Sequence, residues 1–393
     1  MTPPAPARTA SPARMIGVLL ADVTCFAIVM PLLASYASAR HASPTAIGIL
    51  VASYSAMHFL LAPFWGRLSD RIGRRPVLLI GLAGTVVSSL MFAVAANYLL
   101  LLLSRVVAGG FGATLNVSQA YVADQSAPDQ RTRVMGLVGA AFGFGFIFGP
   151  MIGGIASHFG DAVPGMVATG LAAVNLLLAL RFVPEPAQHR DAFRANTAPV
   201  GVRPFAVPLI AAVCSTLAFT VLDVVLPLVA ERSLGYDRRT VSYLFALTGL
   251  MTAIIQGGVV GRLAQRLGEG RVLLLGGGLM AAGLAGLAIA SGEGGSLLVV
   301  SLAVIGAGFG LAGPAETGYV SRIAPATLQG RALGMLQSAN ALSRVVGPVA
   351  AGVAMGLGPA AAFLGASGAA ILAGVLGLYF RDARRGTQDA NAG

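Results

Sequence analysis

Four ionisable side chains stand inside long apolar runs of this chain: Asp22 in "LLADVTCFAIVMPLL", Arg105 in "LLLSRVVAGGFGAT", Asp223 in "FTVLDVVLPLV" and Glu316 in "GPAETGYV". A carboxylate in such a setting suits reversible proton binding or the recognition of a cation, because it can alternate between neutral and ionised forms. A mid-membrane arginine demands a cavity and a partner; otherwise it snorkels or bonds a carbonyl. The plainer alternative for Asp22 is an acid near the lipid interface that caps or pairs, and for Asp223 a place close to the outer surface gives that alternative more weight. Uncharged polar groups accompany them in the apolar runs: Asn116, Gln119, Gln256, Gln337 and Asn340, with His58, a residue type able to titrate near physiological pH. These could outline a solute cavity, although interhelical hydrogen bonding is their common use in lipid. Arg344 is either a charge partner for one of the acids or an anion-binding group.

Other chemistries find no support. Cys25 and Cys214 are isolated in apolar runs and the four histidines are scattered, so neither a disulfide framework nor a metal site is expected. There is no nucleotide-binding P-loop and no nucleophile elbow, and hence no enzyme and no cofactor are expected.

The elements that must position these groups follow from hydropathy. Mean hydropathy is +0.80 with 56% hydrophobic and 10% charged residues, which places the chain in a lipid bilayer. Apolar runs of about 20 residues, the length that crosses the hydrocarbon core as a helix, lie at 14–38, 45–66, 76–96, 98–123, 132–157, 163–183, 205–230, 239–262, 271–290, 296–320, 331–356 and 359–380. The 52 glycines provide small faces for close helix contact in lipid. All 26 basic residues are arginine, and with the N-terminus cytoplasmic 20 of them fall on the cytoplasmic side. The +11 net charge therefore follows the positive-inside pattern rather than marking a nucleic-acid partner. "ASA" at 37–39 resembles a signal-peptidase site, but the run before it is long and holds Asp22, so a retained first helix is expected.

The chain repeats itself. "GRLSDRIGRRPVLLIG" (66–81) aligns with "GRLAQRLGEGRVLLLG" (261–276) at an offset of 195, and "FGPMIGG" (148–154) with "VGPVAAG" (346–352) at 198. Between these, "APDQRTRVMG" (127–136) matches "APATLQGRALG" (324–334) with one gap. The predicted fold is an all-α membrane protein with twelve transmembrane helices in two pseudo-symmetric six-helix bundles. Its parts are a tail at 1–13, a bundle at 14–183, a polar, proline-containing linker at 184–204, a second bundle at 205–381 and a tail at 382–393. Two such halves flanking a binding site form a transporter architecture.

These residues resemble the major facilitator superfamily over essentially the whole chain, specifically the twelve-helix drug:proton antiporters, with the first half most like the tetracycline exporters. Gly66, Asp70, Arg71, Gly73, Arg74 and Arg75 fit the family's G-x-x-x-D-R-x-G-R-R loop. The resemblance implies a gating role, with Asp70 near the start of helix 11 around Gln329 to Arg331; the plainer alternative is a topogenic charged loop. In the second copy Gln265 replaces Asp70. Gly136, Gly145, Gly149, Pro150, Gly153 and Gly154 fit G-x8-G-x3-G-P-x2-G-G, which the family associates with antiport rather than uptake. As bare residues they also make a helix-packing face. By the same resemblance Arg105 is linked to proton transfer and Asp22 is the helix 1 acid, although Ala34 stands where a second proline is usual. The tetracycline exporters carry further acids in helices 3 and 9; here Ser88 lies near the first position and helix 9 has none, which argues against tetracycline–metal recognition.

The expected function is export of small lipophilic or cationic compounds in exchange for protons, by a monomer with both termini in the cytoplasm. Export of a specific metabolite such as a sugar, amino acid or siderophore on the same fold is the alternative. A membrane sensor or a passive facilitator would lack the coupling residues.

Overall fold

A computed structural model describes residues 12–112, 114, 117, 118, 121, 131–184, 203–293, 295–325 and 328–380. Asn116, Gln119, both tails except for residues 12 and 13, and the linker from 185 to 202 lie outside the described residues. Every regular element among the described residues is helical. In chain order these are α1 (Arg14–Ala39), α2 (Pro44–Ile72), α3 (Arg74–Ala93), α4 (Tyr98–Gly110), α5 (Arg131–Ser157), α6 (Val163–Phe182), α7 (Arg203–Arg232), α8 (Arg238–Leu267), α9 (Glu269–Glu293), α10 (Ser296–Ile323), α11 (Gln329–Ala354) and α12 (Pro359–Leu376). All but α4 are long and apolar enough to span a bilayer within the described residues. Each begins within two residues of one of the twelve apolar runs, as expected when lipid forces every backbone group to bond within its own segment, but α4 ends at Gly110 where its run was expected to reach 123.

Short turns separate the helices, and their chemistry is local. Gly73, at φ 104°, divides α2 from α3, and Gly268, at φ 80°, divides α8 from α9. Gly160 (φ 131°) and Gly358 (φ 112°) stand in the α5–α6 and α11–α12 turns. Both pairs are separated by the repeat offsets, so the two halves use the same left-handed turn positions. A side chain there would strain the backbone. Asn97 caps α4 by accepting from Leu100 N at 2.9 Å, and Asp237 caps α8 by accepting from Thr240 N at 2.9 Å.

The chain forms two compact units: Met1–Arg40 with Ser53–Thr197, and His41–Ala52 with Ala198–Gly393. In the first, α1 packs on α5 and α6, and α3 on α4 and α6. In the second, α7 packs on α11 and α12, and α9 on α10 and α12, the same pattern moved six helices along. The second unit includes the start of α2, where Gly48 meets the carbonyl of Pro348 so closely that an added Cβ would lie 2.3 Å from it. Each unit has its own core, around Leu19, Leu78 and Tyr121 in one and Val272, Leu273 and Ala312 in the other. One difference between the copies is local: α2 contains Pro63, whereas the aligned stretch of α8 is a five-residue π-turn, Ile255–Val259, holding Gly257 and Gly258. Both distort the i→i−4 ladder at one place by different means.

Candidate functional site

In the first unit the antiporter-type glycines form the surface against which α1 is set. A Cβ on Gly145 would lie 2.6 Å from Val23 Cγ1, one on Gly149 2.4 Å from Ala27 Cβ, and one on Gly153 2.4 Å from the Ile28 carbonyl oxygen. The i, i+4, i+8 spacing places all three on one stripe of α5, with Pro150 inside that helix and Gly136 nearer its start. Gly154 is buried beside them. This contact fixes the backbone of α1 within one turn of Asp22.

Asp22 is half-buried, and Thr85 Oγ1 of α3 donates to its Oδ1 at 3.0 Å. The same hydroxyl lies 3.4 Å from the Gly81 carbonyl. A hydroxyl has one hydrogen and two lone pairs. It can therefore donate to an ionised Asp22, or donate to Gly81 while accepting from a protonated Asp22. Thr85 lies in the stretch whose Ser88 drew attention in the sequence; Ser88 is buried and donates instead to the Thr85 carbonyl at 3.1 Å.

Glu316 repeats this chemistry in the second unit with different helices. It is 3% exposed, and Ser215 Oγ of α7 donates to its Oε1 at 2.5 Å. Ser215 also lies 2.8 Å from the Ala211 carbonyl, one turn earlier. Nearby on α7, Thr216 Oγ1 bonds Asn340 Oδ1 of α11 at 3.0 Å. Asp223 is half-buried in α7, and Arg344 of α11 lies within its electrostatic reach. Gln337 and Arg344 are exposed, and Gln256 is exposed on the π-turn of α8.

Arg105 does not join Asp22. It is 3% exposed in α4, with Nε 3.4 Å from Ser104 Oγ and its guanidinium 5.6 Å from the Phe92 ring centroid. Tyr54 of α2 lies within its electrostatic reach, stacks on His58 at 5.9 Å and meets Phe26 of α1 at 4.7 Å. His58 Nδ1 would be 2.5 Å from a Cβ on Gly112. Just before it, Trp65 Nε1 donates to the Gly110 carbonyl at 2.7 Å, satisfying an acceptor at the end of α4.

Three contacts of the charged loop between α2 and α3 lie within the first unit. Asp70 pairs with Arg74 at 2.7 Å, Arg74 Nη1 donates to Ser69 Oγ at 2.7 Å, and Arg75 Nη2 donates to the Leu180 carbonyl at 2.8 Å. Gly66 has open space around it, and Arg71 is exposed. In the second copy the position of Arg74 is Glu269, which pairs with Arg322 at the end of α10. Thr85, Ser215, Thr216, Tyr54 and Phe26 were not singled out from the sequence. A search for hydroxyls one turn after a small residue would have marked Thr85 and Ser215, among many others. Among the described residues no group of three or more His, Cys, Asp or Glu side chains could hold a metal ion.

Two repeated helical units, each with an intramembrane acid held by a hydroxyl on another helix, are the construction of a secondary transporter. The Major Facilitator Superfamily profile matches residues 15–209 and again 208–393, and the chain belongs to that family of transporters. It is 34% identical over 347 residues to the class D tetracycline resistance protein of Salmonella ordonez, covering 84% of this chain and 86% of that one. Multidrug resistance protein 2 of Bacillus subtilis (strain 168) is 26% identical over 340 residues, covering 83% and 84%. The crystal structure of the human organic anion transporter MFSD10 (TETRAN) superposes with a TM-score of 0.69 at 25% identity, covering 95% of this chain and 100% of that one. The protein is thus a multi-pass membrane transporter of small molecules and not an enzyme.

Proposed function

We propose that the protein exports small lipophilic compounds, cations among them, in exchange for protons, as an antibiotic or multidrug efflux system working by alternating access. The tetracycline-resistance and multidrug-resistance relatives support the substrate class. The observation that carries the coupling is the Asp22–Thr85 contact on the glycine-packed face of α1. Ionised Asp22 holds the outgoing solute; a proton arriving from outside neutralises it and releases the solute. Loss of the proton to the cytoplasm restores affinity. The Thr85 hydroxyl partners the carboxyl in both states, so neither is left unsatisfied within the bilayer. Glu316 with Ser215, and Asp223 with Arg344, are the corresponding titrating candidates of the second unit, and Arg105 is a fixed positive charge on the pathway. A proton entering along the membrane potential supplies about 2.3 kcal/mol per 100 mV. The arginine asymmetry supports a monomer's placement in the bacterial cytoplasmic membrane with both termini inside.

The test uses everted vesicles energised to an acidic interior and a quenched pH-sensitive dye. Lipophilic cations and antibiotics should trigger proton efflux, and Asp22→Asn should abolish it. If efflux persists in Asp22→Asn, Asp22 is not the coupling acid. A panel that releases no protons from vesicles containing the protein would refute drug antiport and favour export of a specific metabolite.

A further inference from the structure

Two buried rings link Arg105 to a second arginine of the first unit. The Arg105 guanidinium carbon lies 5.6 Å from the Phe92 ring centroid. Tyr36 of α1 stacks on Phe92, with centroids 5.2 Å apart and planes 7° from parallel. The Arg40 guanidinium carbon lies 5.7 Å from the Tyr36 centroid. All are within the range of stacking and cation–π attraction. The end away from Arg105 is tied down by hydrogen bonds. Tyr36 Oη donates to the Asp161 carbonyl at 2.7 Å, Arg40 Nη1 to the Tyr36 carbonyl at 2.9 Å, and Arg40 Nη2 to the Ala95 carbonyl just after α3. Arg105 is held more loosely: among the described residues its one hydrogen bond is to the neighbouring Ser104 Oγ, at 3.4 Å. The repeat supplies an internal comparison. At the offsets of 195 and 198, Phe92 corresponds to Leu287 and Arg105 to Ala303, and Leu287 is 0% exposed. Packing at this place is therefore met by an aliphatic side chain, and the ring stands in the copy that holds the arginine.

We propose that Phe92, braced by Tyr36, is a positioning residue that holds the Arg105 guanidinium at its depth in the membrane, and that proton coupling requires it there. This rests on the efflux reading, in which Arg105 is a fixed positive charge on the pathway. α4 begins seven residues before Arg105, about 10 Å along the helix axis. A long side chain at that depth is within snorkelling range of the nearer membrane surface unless something favours its buried place. A ring face does so without adding a charge, since the attraction needs no carboxylate and grows as water is excluded.

Chemical modification of the full-length protein in lipid nanodiscs tests the placement without substrate or gradient. The probe is p-hydroxyphenylglyoxal, an arginine reagent, and modification of Arg105 is followed by peptide mass spectrometry. The reagent reaches only a guanidinium that has left its buried place, so the rate follows that population. Phe92→Leu, which installs the second copy's side chain, should raise the rate about ten- to thirtyfold, and Tyr36→Leu should raise it by less. Leu101→Ala, which opens a fully buried site one turn earlier on α4, should leave the rate near the parent's. No rise in Phe92→Leu, or an equal rise in Leu101→Ala, overturns the proposal. In everted vesicles Phe92→Leu should also lose about tenfold of the substrate-triggered proton efflux. Parent-like efflux alongside the faster modification would overturn the link to coupling. Silence of the parent vesicles refutes antiport, and the modification rates separate that failure from failure of the placement.

Discussion

Replacing Gly149 by alanine tests whether the glycine face of α5 sets the position of the coupling acid. The new Cβ would lie 2.4 Å from Ala27 Cβ and 2.8 Å from the Ala27 carbonyl carbon. Both neighbours are backbone or attached directly to it, so no rotamer change relieves the clash. Bringing the closest contact to van der Waals distance requires α1 and α5 to part by about 1 Å. Overpacking of this kind costs about 1–3 kcal/mol. A displacement of that size along the line to Thr85 would stretch the 3.0 Å hydrogen bond of Asp22 past hydrogen-bond range. Purified Gly149→Ala should therefore melt at lower temperature, and its vesicles should show reduced substrate-triggered proton efflux. Ala27→Gly in the Gly149→Ala background removes the 2.4 Å contact but leaves the 2.8 Å one to the Ala27 carbonyl carbon, so it should restore both in part, with a coupling of about 0.5–3 kcal/mol. Gly170→Ala is the control, because nothing lies within 4 Å of its added Cβ; helix propensity makes it neutral or stabilising by up to about 1 kcal/mol. If Gly149→Ala is as stable as Gly170→Ala, or if Ala27→Gly fails to rescue it, α5 does not position α1 through this contact.

Thr85→Val removes the partner of both protonation states of Asp22 and should lower substrate-triggered proton efflux by about tenfold or more, whereas Thr85→Ser should keep it; equal rates in both variants would show the hydroxyl to be dispensable. Trp65→Phe leaves the Gly110 carbonyl, now bonded at 2.7 Å, without its donor, and should cost about 1–3 kcal/mol in thermal or denaturant unfolding. Asp237 is held below the usual carboxylate range, first by the Thr240 hydroxyl at 2.6 Å and then by its backbone N–H. A lowered native value means stability that is complete above about pH 4 and lost as pH falls through that lower value. Asp237→Ala should cost about 1 kcal/mol near neutrality, and melting curves of parent and variant should converge in acid; a gap that does not depend on pH would exclude the ionised cap.

Much of the architecture is written in local chemistry that needs no tertiary information. Apolar runs become spans because a bilayer leaves no other way to satisfy backbone donors and acceptors, and the positions of Gly73 and Gly268 mark equivalent turns because each adopts a positive φ. The repeat of "GRLSDRIGRRPVLLIG" is likewise matched by the repeated helix neighbours α1–α5 and α7–α11. The copies are not identical in means: α2 holds Pro63, whereas the π-turn of α8 lies in "IIQGGVV", where nothing in the residues distinguishes it from a regular helix; in the structure an added Cβ on Gly310 would lie 3.0 Å from Ile255 Cβ.

The functional groups divide along the same line. Asp22, Arg105, Asp223 and Glu316 were evident from the sequence because a charge inside an apolar run is expensive wherever it points. Their partners were not. Thr85 is 63 residues from Asp22, Ser215 is 101 from Glu316, and Arg344, within electrostatic reach of Asp223, stands four helices further along the chain. Hydroxyls and rings are cheap in lipid, so their presence carries little signal until helix rotation and depth are known. The sequence by itself determined that charges stand inside apolar runs and where along each helix they lie. Only the tertiary structure decided that Asp22 meets a hydroxyl and that Arg105 meets aromatic rings with no described carboxylate bonded to it, because those outcomes depend on which faces of distant helices come together.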